Sequence, residues 1–329
     1  MENNPPNNYY YQKSNSGRWF WGIFLSILIF AIVFAGFSFL FFAKVVSGGR
    51  SDGEYTYSTS GRGNGKVAVV DLDYTIISSD AIVRQFKKYR EDKSIKAIVL
   101  RINSPGGGVA ASQEMYEAIK RTRDSGKPVV VSFSSIAASG GYYAACGGSI
   151  IVSEPGSLTG SIGVIINLTN FKELADKIGI KETIIKSGEL KDAGNPFRDV
   201  NEQDKAYFQD IVNDSFDQFL DVVSKERKID KDSLRKIANG RVYTGRQALP
   251  LRLVDKLGTF DDAVVIAGKM GGIDGEPVLV KEKEKYSIIK QIIEGRSDKN
   301  DINSDIHDIK ELLKNEFLSQ SVLQYKFVR

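Results

Sequence analysis

A chain of 329 residues with 42% hydrophobic and 26% charged residues has the composition of a globular protein, long enough for one large or two small domains with a buried core. Its net charge of +4 is slight and dispersed, so it carries no electrostatic footprint for nucleic acid. A single cysteine, Cys146, excludes an internal disulfide; with a single histidine, His307, it leaves no usual ligand set for zinc, and neither a metal nor another cofactor is expected.

Residues 1–18 are polar, rich in Asn, Pro and Tyr, and lack hydrophobic periodicity, which predicts a disordered tail. The next stretch, WFWGIFLSILIFAIVFAGFSFLFFA (19–43), has no charge. As a helix it would be roughly 37 Å long, enough to cross a hydrocarbon core of ~30 Å with some tilt. Trp19 and Trp21 suit the headgroup boundary, and Arg18 and Lys44 bracket the run. A retained transmembrane anchor is therefore expected; a cleaved signal peptide fits less well, because the run is long and no A-x-A-like site follows it. The charge rule does not orient the anchor, since Lys13 and Arg18 on one side balance Lys44 and Arg50 on the other.

Residues 44–65, Gly/Ser-rich from 47 onward, read as a flexible linker. A folded domain is expected over 66–280. KVAVVDLDYTI (66–76), SIKAIVLRINS (94–104), PVVVSFSS (128–135) and SIIVS (149–153) read as strands. They alternate with helices over 80–92 and 109–126 and with one opening at Ser139. This is the pattern of an α/β fold with buried, mostly parallel strands. Further on, KETIIKSG (181–188) reads as a strand, 201–228 as a long amphipathic helix and 230–240 as a shorter one closed by Gly240. From 281 to 329 the chain is a charge-rich arm with one plausible helix, IKELLKNEFLSQ, and a short apolar end, VLQYKFV.

Three stretches could carry chemistry. RINSPGGG (101–108) ends a strand before a helix; its glycines let backbone approach a bound group and turn an N–H inward, as an oxyanion hole needs. A tight strand-to-helix turn or a phosphate cradle explains it equally, although the G-K-[ST] of a P-loop is missing. In ASGGYYAA, Ser139 is flanked by small residues that let a carbonyl approach Oγ, and the N–H of Gly140 is a second oxyanion donor at a helix start. A plain serine N-cap is the ordinary alternative. His307, in a polar run of the arm, is a poor partner for Ser139, so a lysine made neutral by burial is the candidate base. IIKSGELKDAGNPF offers Lys186 and Lys191, and the residues alone do not choose between them. SLTGSIGVI (157–165) holds Ser161 and Thr159, either of which could hold a neutral amine toward Oγ.

Together, RINSPGGGVAASQEMYEAI, ASGGYYAA, PGSLTGSIGVI, SGELKDAGNPFR, GRVYTGRQA and LVDKLG, in this order over roughly residues 66 to 275, resemble the S49 peptidases of the signal peptide peptidase A type in its short, single-domain form. The resemblance implies a ClpP/crotonase-like α/β superfold with an N-terminal transmembrane helix. It implies Ser139 as nucleophile, Lys191 as general base, the N–H groups of Gly106 and Gly140 as oxyanion hole, and Ser161 as the hydroxyl that orients the lysine. It further implies a homo-oligomeric ring with neighbouring subunits completing the sites. The implied location is the cell membrane, crossed once, with the N-terminus cytoplasmic and the catalytic domain outside. The implied substrates are remnant signal peptides and other small hydrophobic peptides. One departure is RQALPLRLVDKLG, where Pro250 should end a helix early and Arg252 occupies a position usual for a left-handed cap. Two rival readings are an acyl-CoA enzyme of the crotonase kind on the same superfold and a non-catalytic membrane scaffold that has kept the fold. Both Ser139 and Lys191 are present, which speaks against the second.

Overall fold

Runs of β-branched residues build the centre of the sheet. The computed structural model describes residues 57–60, 64–282 and 324–326, all within one of the chain's two units, Tyr55–Arg329. The expected tail 1–18 and anchor 19–43 lie outside the described residues, as do most of the linker and of the C-terminal arm; among the described residues no helix is long and apolar enough to cross a membrane. In chain order the elements begin with β1 (Tyr57–Ser60), β2 (Lys66–Leu72), α1 (Asp80–Glu91), β3 (Ile95–Ser104), β4 (Gly106–Gly108), α2 (Val109–Asp124), β5 (Val129–Ala138) and α3 (Gly140–Ala145). There follow β6 (Ile150–Ser153), β7 (Leu158–Gly160), α4 (Lys172–Lys177), a 3-10 turn (Glu189–Asp192), α5 (Glu202–Arg227), α6 (Lys231–Ile237), β8 (Val242–Thr244) and α7 (Gly245–Ala248). The last are β9 (Lys256–Leu257), α8 (Phe260–Met270), β10 (Val278–Glu282) and β11 (Gln324–Lys326).

The main sheet runs β1-β10-β2-β3-β5-β6-β9, parallel from β10 to β9, with β1 antiparallel at one edge. Strand side chains alternate between two buried faces. Ala68, Val70, Leu72, Ile98, Leu100, Val131 and Phe133 face a layer built from Phe86 of α1, Met115 and Ile119 of α2, Tyr142, Tyr143, Ala144 and Ala145 of α3, and Phe219 and Val223 of α5. Val67, Ala97, Val99 and Val130 face Ala263, Val264 and Ala267 of α8. Each fully buried side chain of this size contributes roughly 1.5–3 kcal/mol, which secures the sheet from which the site projects. Caps fix the long elements: Asn201 and Asp204 bond reciprocally at the start of α5, as do Thr259 and Asp262 at α8.

Two local expectations have different outcomes. Residues 181–188 form no strand; they are exposed, Ile185 at 97%, and no described strand lies beside them to pair with. β-propensity expresses a fit to neighbouring strands, and without a ladder it fixes nothing. At the departure near 250 the sequence reading holds. α7 stops at Ala248 ahead of Pro250, and Arg252 takes φ 59°, with its N–H on the Leu249 carbonyl (3.0 Å) and that of Leu253 on Ala248 (3.0 Å). The Arg252 carbonyl in turn accepts from Arg227 Nε at 2.8 Å, tying this corner to the end of α5.

Candidate active site

β5 runs past its pairing with β6 because a second parallel partner takes over: Ile136, Ala137 and Ala138 face Leu158, Thr159 and Gly160 of β7. On its other side Ala137 still faces Ser104, the last residue of β3. The chain must then turn sharply into α3, and the turn falls on Ser139, at φ 53° and ψ −114°. Positive φ in a non-glycine residue costs of order 1–3 kcal/mol and persists only where the surroundings enforce it. Here the Ser139 N–H donates to the Gly160 carbonyl at 2.8 Å and the residue is fully buried. Its Oγ has no hydrogen-bond partner among the described residues. An N-capping serine has extended backbone and an Oγ that accepts from the helix's first turn. Ser139 has neither, so capping does not account for it.

Glycines on either side of the turn pack closely against neighbouring backbone. Gly141 lies over the end of β3, where a Cβ would meet the Ser104 carbonyl at 3.2 Å and Ile102 Cγ2 at 3.5 Å. The N–H of Gly140 belongs to the first turn of α3, whose amides have no partner within the helix. Facing them is β4. Ile76 donates to the Gly106 carbonyl at 2.8 Å and accepts from Gly108 at 2.7 Å. A Cβ on Gly107 would stand 1.9 Å from the Ile76 carbonyl oxygen, so no side chain fits. Ladder geometry turns the Gly107 amide and carbonyl to the opposite edge, and along that edge β11 runs antiparallel, with Tyr325 opposite Gly107. The Gly106 N–H is 3.2 Å from Ser104 Oγ, a long bond, while that hydroxyl donates to the Tyr74 carbonyl at 2.5 Å.

Ser161 follows Gly160 directly. It is buried, at φ 49°, and its N–H donates to the Arg241 carbonyl at 2.8 Å. The neighbouring Thr159 spends its hydroxyl proton on the Ala137 carbonyl at 2.8 Å. Ser139, Gly140, Gly106 and Ser161 thus meet where β3, β5 and β7 end. Lys191 is exposed on the 3-10 turn, and its side chain makes no hydrogen bond or ion pair among the described residues. The hydrogen bonds of residues 170–200 close within 170–204, and none reaches β4, α3 or β7 among the described residues. Lys186 donates to Asp192 Oδ1 at 2.6 Å and to the Glu189 carbonyl at 2.8 Å. Bonds from Lys186 and then Arg198 hold the Asp192 carboxyl at about 2, well below the usual carboxylate range. Arg198 also binds Asp204, a pair that sequence reading passed over because charges in a loop look solvated. Cys146, behind the site, has its thiol pushed up to about 12 by burial. Among the described residues no cluster of His, Cys, Asp and Glu could hold a metal ion, and His307 lies outside them.

A buried parallel sheet whose central strand ends in a strained serine beside a glycine-only strand is a ClpP-like α/β fold, and residues 69–152 match the Clp protease family. Residues 121–273 match peptidase family S49. The chain is 38% identical over 215 residues to the Synechocystis sp. protein slr0021, whose name carries the word protease; the match covers 65% of this chain and 77% of that protein. It is 34% identical over 208 residues to Protease 4 of Haemophilus influenzae, covering 60% of this chain and 34% of that one. It is 35% identical over 198 residues to the chloroplastic serine protease SPPA of Arabidopsis thaliana, covering 60% and 29%. The chain thus spans about a third of the length of the latter two. It belongs to peptidase family S49, of the signal peptide peptidase A type, and is a serine peptidase in class.

Proposed function

We propose that this chain is a membrane-anchored serine endopeptidase with a Ser139/Lys191 dyad that degrades cleaved signal peptides and other small hydrophobic peptides. The observation that carries the reading is Ser139 itself: fully buried, at positive φ, with an Oγ that bonds to nothing among the described residues. Such a hydroxyl is a cost to the fold that capping does not explain, and a nucleophile held for attack does explain it.

In this reading Lys191, neutral once buried, takes the Ser139 proton as Oγ attacks the scissile carbonyl. The N–H groups of Gly106 and Gly140 receive the oxyanion, for which the Gly106 N–H gives up its long contact to Ser104. Lysine returns the proton to the leaving amine, and the acyl-enzyme is then cleared by water that the same lysine activates. Ser161 holds the amine toward Oγ. Among the described residues the Lys191 segment bonds within itself and to the start of α5, and in this reading the lysine serving Ser139 comes from a neighbouring copy in a homo-oligomeric ring. The substrate lies as an added strand on the outer edge of β4. The chain's own β11 supports this, since that edge already accepts an extended segment. Residues 19–43 anchor the domain 66–280 through the linker 44–65, with the tail 1–18 in the cytoplasm and the catalytic domain and arm 281–329 outside.

The test is cleavage of a hydrophobic signal-peptide sequence by the full-length protein in detergent, with Ser139→Ala and Lys191→Ala alongside. Activity should rise toward alkaline pH, above about pH 8, as the lysine loses its proton, and should be indifferent to chelators. Both variants should be folded and slower by about 10³-fold or more. A flat profile from about pH 6 to 10 would count against a lysine base, and an inactive wild-type oligomer would favour the scaffold reading.

A further inference from the structure

A lysine on a surface turn samples many rotamers, and ordering one costs up to about 2 kcal/mol of side-chain entropy. The turn that bears Lys191 is held by a dense set of bonds. Arg198 donates from Nε to Asp192 Oδ2 at 2.9 Å, and from Nη2 to Asp192 Oδ1 at 3.3 Å and to the Asp192 carbonyl at 3.1 Å. The immediate chain neighbour of Lys191 is therefore gripped by both side-chain oxygens and by its backbone. The same guanidinium reaches Asp204, Nη2 to Oδ1 at 3.0 Å and Nη1 to Oδ2 at 2.5 Å.

Asp204 is fixed independently of Arg198. It is buried, its N–H donates to Asn201 Oδ1 at 2.8 Å, and its Oδ2 accepts the Asn201 N–H at 3.2 Å. It thus belongs to the first turn of α5, the longest helix described. On the far side of the turn, Lys186 closes onto Asp192 and onto the Glu189 carbonyl. With its amine committed to Asp192 and to the Glu189 carbonyl, Lys186 is accounted for as a strut. The carboxylates of this network are shielded, Asp192 10% and Asp204 1% exposed, so the bonds to Arg198 fix the geometry of the turn and are not merely solvated surface pairs.

We propose that Arg198 is a positioning residue for Lys191, acting through Asp192 and anchored by Asp204, with Lys186 as the second strut of the same clamp. The inference rests on the Ser139/Lys191 reading. Arg198 touches neither substrate nor Ser139. It transmits the rigidity of α5 to the 3-10 turn and so sets where the Lys191 amine is presented. A planar fork is needed, because one cation must span two carboxylates and a carbonyl; lysine at 198 would supply charge without that span.

The experiment measures the rate at which a fluorophosphonate labels Ser139 in the full-length protein in detergent, followed by mass spectrometry so that slow labelling is resolved. The variants are Lys191→Ala, Arg198→Ala, Arg198→Lys and the double variant Lys191→Ala/Arg198→Ala. A base displaced by about 1 Å loses on the order of 10²-fold, and that is the loss expected for Arg198→Ala, with little recovery in Arg198→Lys. The double variant should label at the rate of Lys191→Ala alone, since a residue acting only through the lysine has nothing left to act on. Wild-type labelling by Arg198→Ala overturns the inference. So does a double variant slower than Lys191→Ala by the full Arg198→Ala factor, the result of a general structural role. Wild-type labelling by Lys191→Ala overturns the base assignment itself, a failure read from that variant alone, and the inference falls with it. If Arg198→Ala does not fold, Arg198→Lys carries the same cycle.

Discussion

Removing the Ser139 hydroxyl should leave the protein inactive and more stable. A buried hydroxyl without a partner keeps a desolvation penalty of about 1–3 kcal/mol, and Ser139 Oγ is such a group. Alanine at φ 53° is as strained as serine, so Ser139→Ala removes the hydroxyl's penalty and nothing else. The expected gain is about 1–2 kcal/mol, a rise in Tm of about 2–4 °C per kcal/mol for a domain of this size. Ser139→Gly also relaxes the backbone, by about 1–3 kcal/mol, less about 0.5–1 kcal/mol for glycine's extra freedom when unfolded. It should be at least as stable as Ser139→Ala. Thr159→Val is the control. Its hydroxyl donates to the Ala137 carbonyl at 2.8 Å, and losing that bond should cost about 0.5–1.5 kcal/mol. Denaturant unfolding of the full-length protein in detergent reads all three. Destabilisation of Ser139→Ala by about 1 kcal/mol or more would show that the hydroxyl serves the fold, and the capping reading would return.

Gly107→Ala must push β4 off Ile76, because the new Cβ would sit 1.9 Å from that carbonyl oxygen; a loss of about 1–3 kcal/mol and of peptidase activity is expected in unfolding and cleavage assays. Cys146, raised to about 12, stays a thiol in the folded protein, while in the unfolded chain it ionises near about 8.5. Its stabilising contribution is complete below that lower value and is lost as pH climbs toward about 12; a thiol reagent at about pH 8 should react only after denaturant is added. Asp192 is displaced the other way, to about 2, so the clamp holds above the ordinary carboxylate value of about 4 and loosens as pH falls toward about 2. Amide exchange over 189–198, corrected for its intrinsic pH dependence, should therefore be flat through neutral and alkaline pH, which would assign any alkaline rise in activity to the lysine. Because β11 occupies the edge proposed for the substrate strand, deleting residues 321–329 should lower KM for peptides at unchanged kcat; an unchanged KM would separate β11 from the substrate path.

The parts of the fold legible in the sequence were those whose residues decide their own state. VAVV, KAIVL and VVVSF are β-branched runs bounded by turns, and they form β2, β3 and β5. Pro250 ended α7 for a reason internal to proline. The strands β4, β7 and β8 were not legible, because three residues of Gly, Leu, Thr, Val or Tyr become a strand only when a partner arrives from far along the chain. The opposite error at 181–188 has the same cause: a segment with strand composition found no neighbour. The site shows the same division. Small residues around Ser139 announced an accessible oxygen, but the φ of 53° that separates it from a cap is imposed by β7 through the Gly160 carbonyl. The choice between Lys186 and Lys191, open on residues alone, acquires a physical basis only when Asp192 is seen to engage Lys186.

The serine and the lysine are prepared in contrasting ways. Ser139 is made costly within a dense core: β3, β5 and β7 end beside one another there, and the hydroxyl has no partner among the described residues. Lys191 is left at the surface, its turn fixed by ion pairs and its amine free of bonds among the described residues. In the proposed ring, packing against a neighbour would bury this amine only on assembly, so the base would become competent where the serine is already waiting. Activity should then follow the oligomer and not the folded chain: dilution below the assembly threshold should abolish cleavage while the Cys146 thiol stays protected from reagents. Cleavage by isolated monomers would place both halves of the dyad within one subunit.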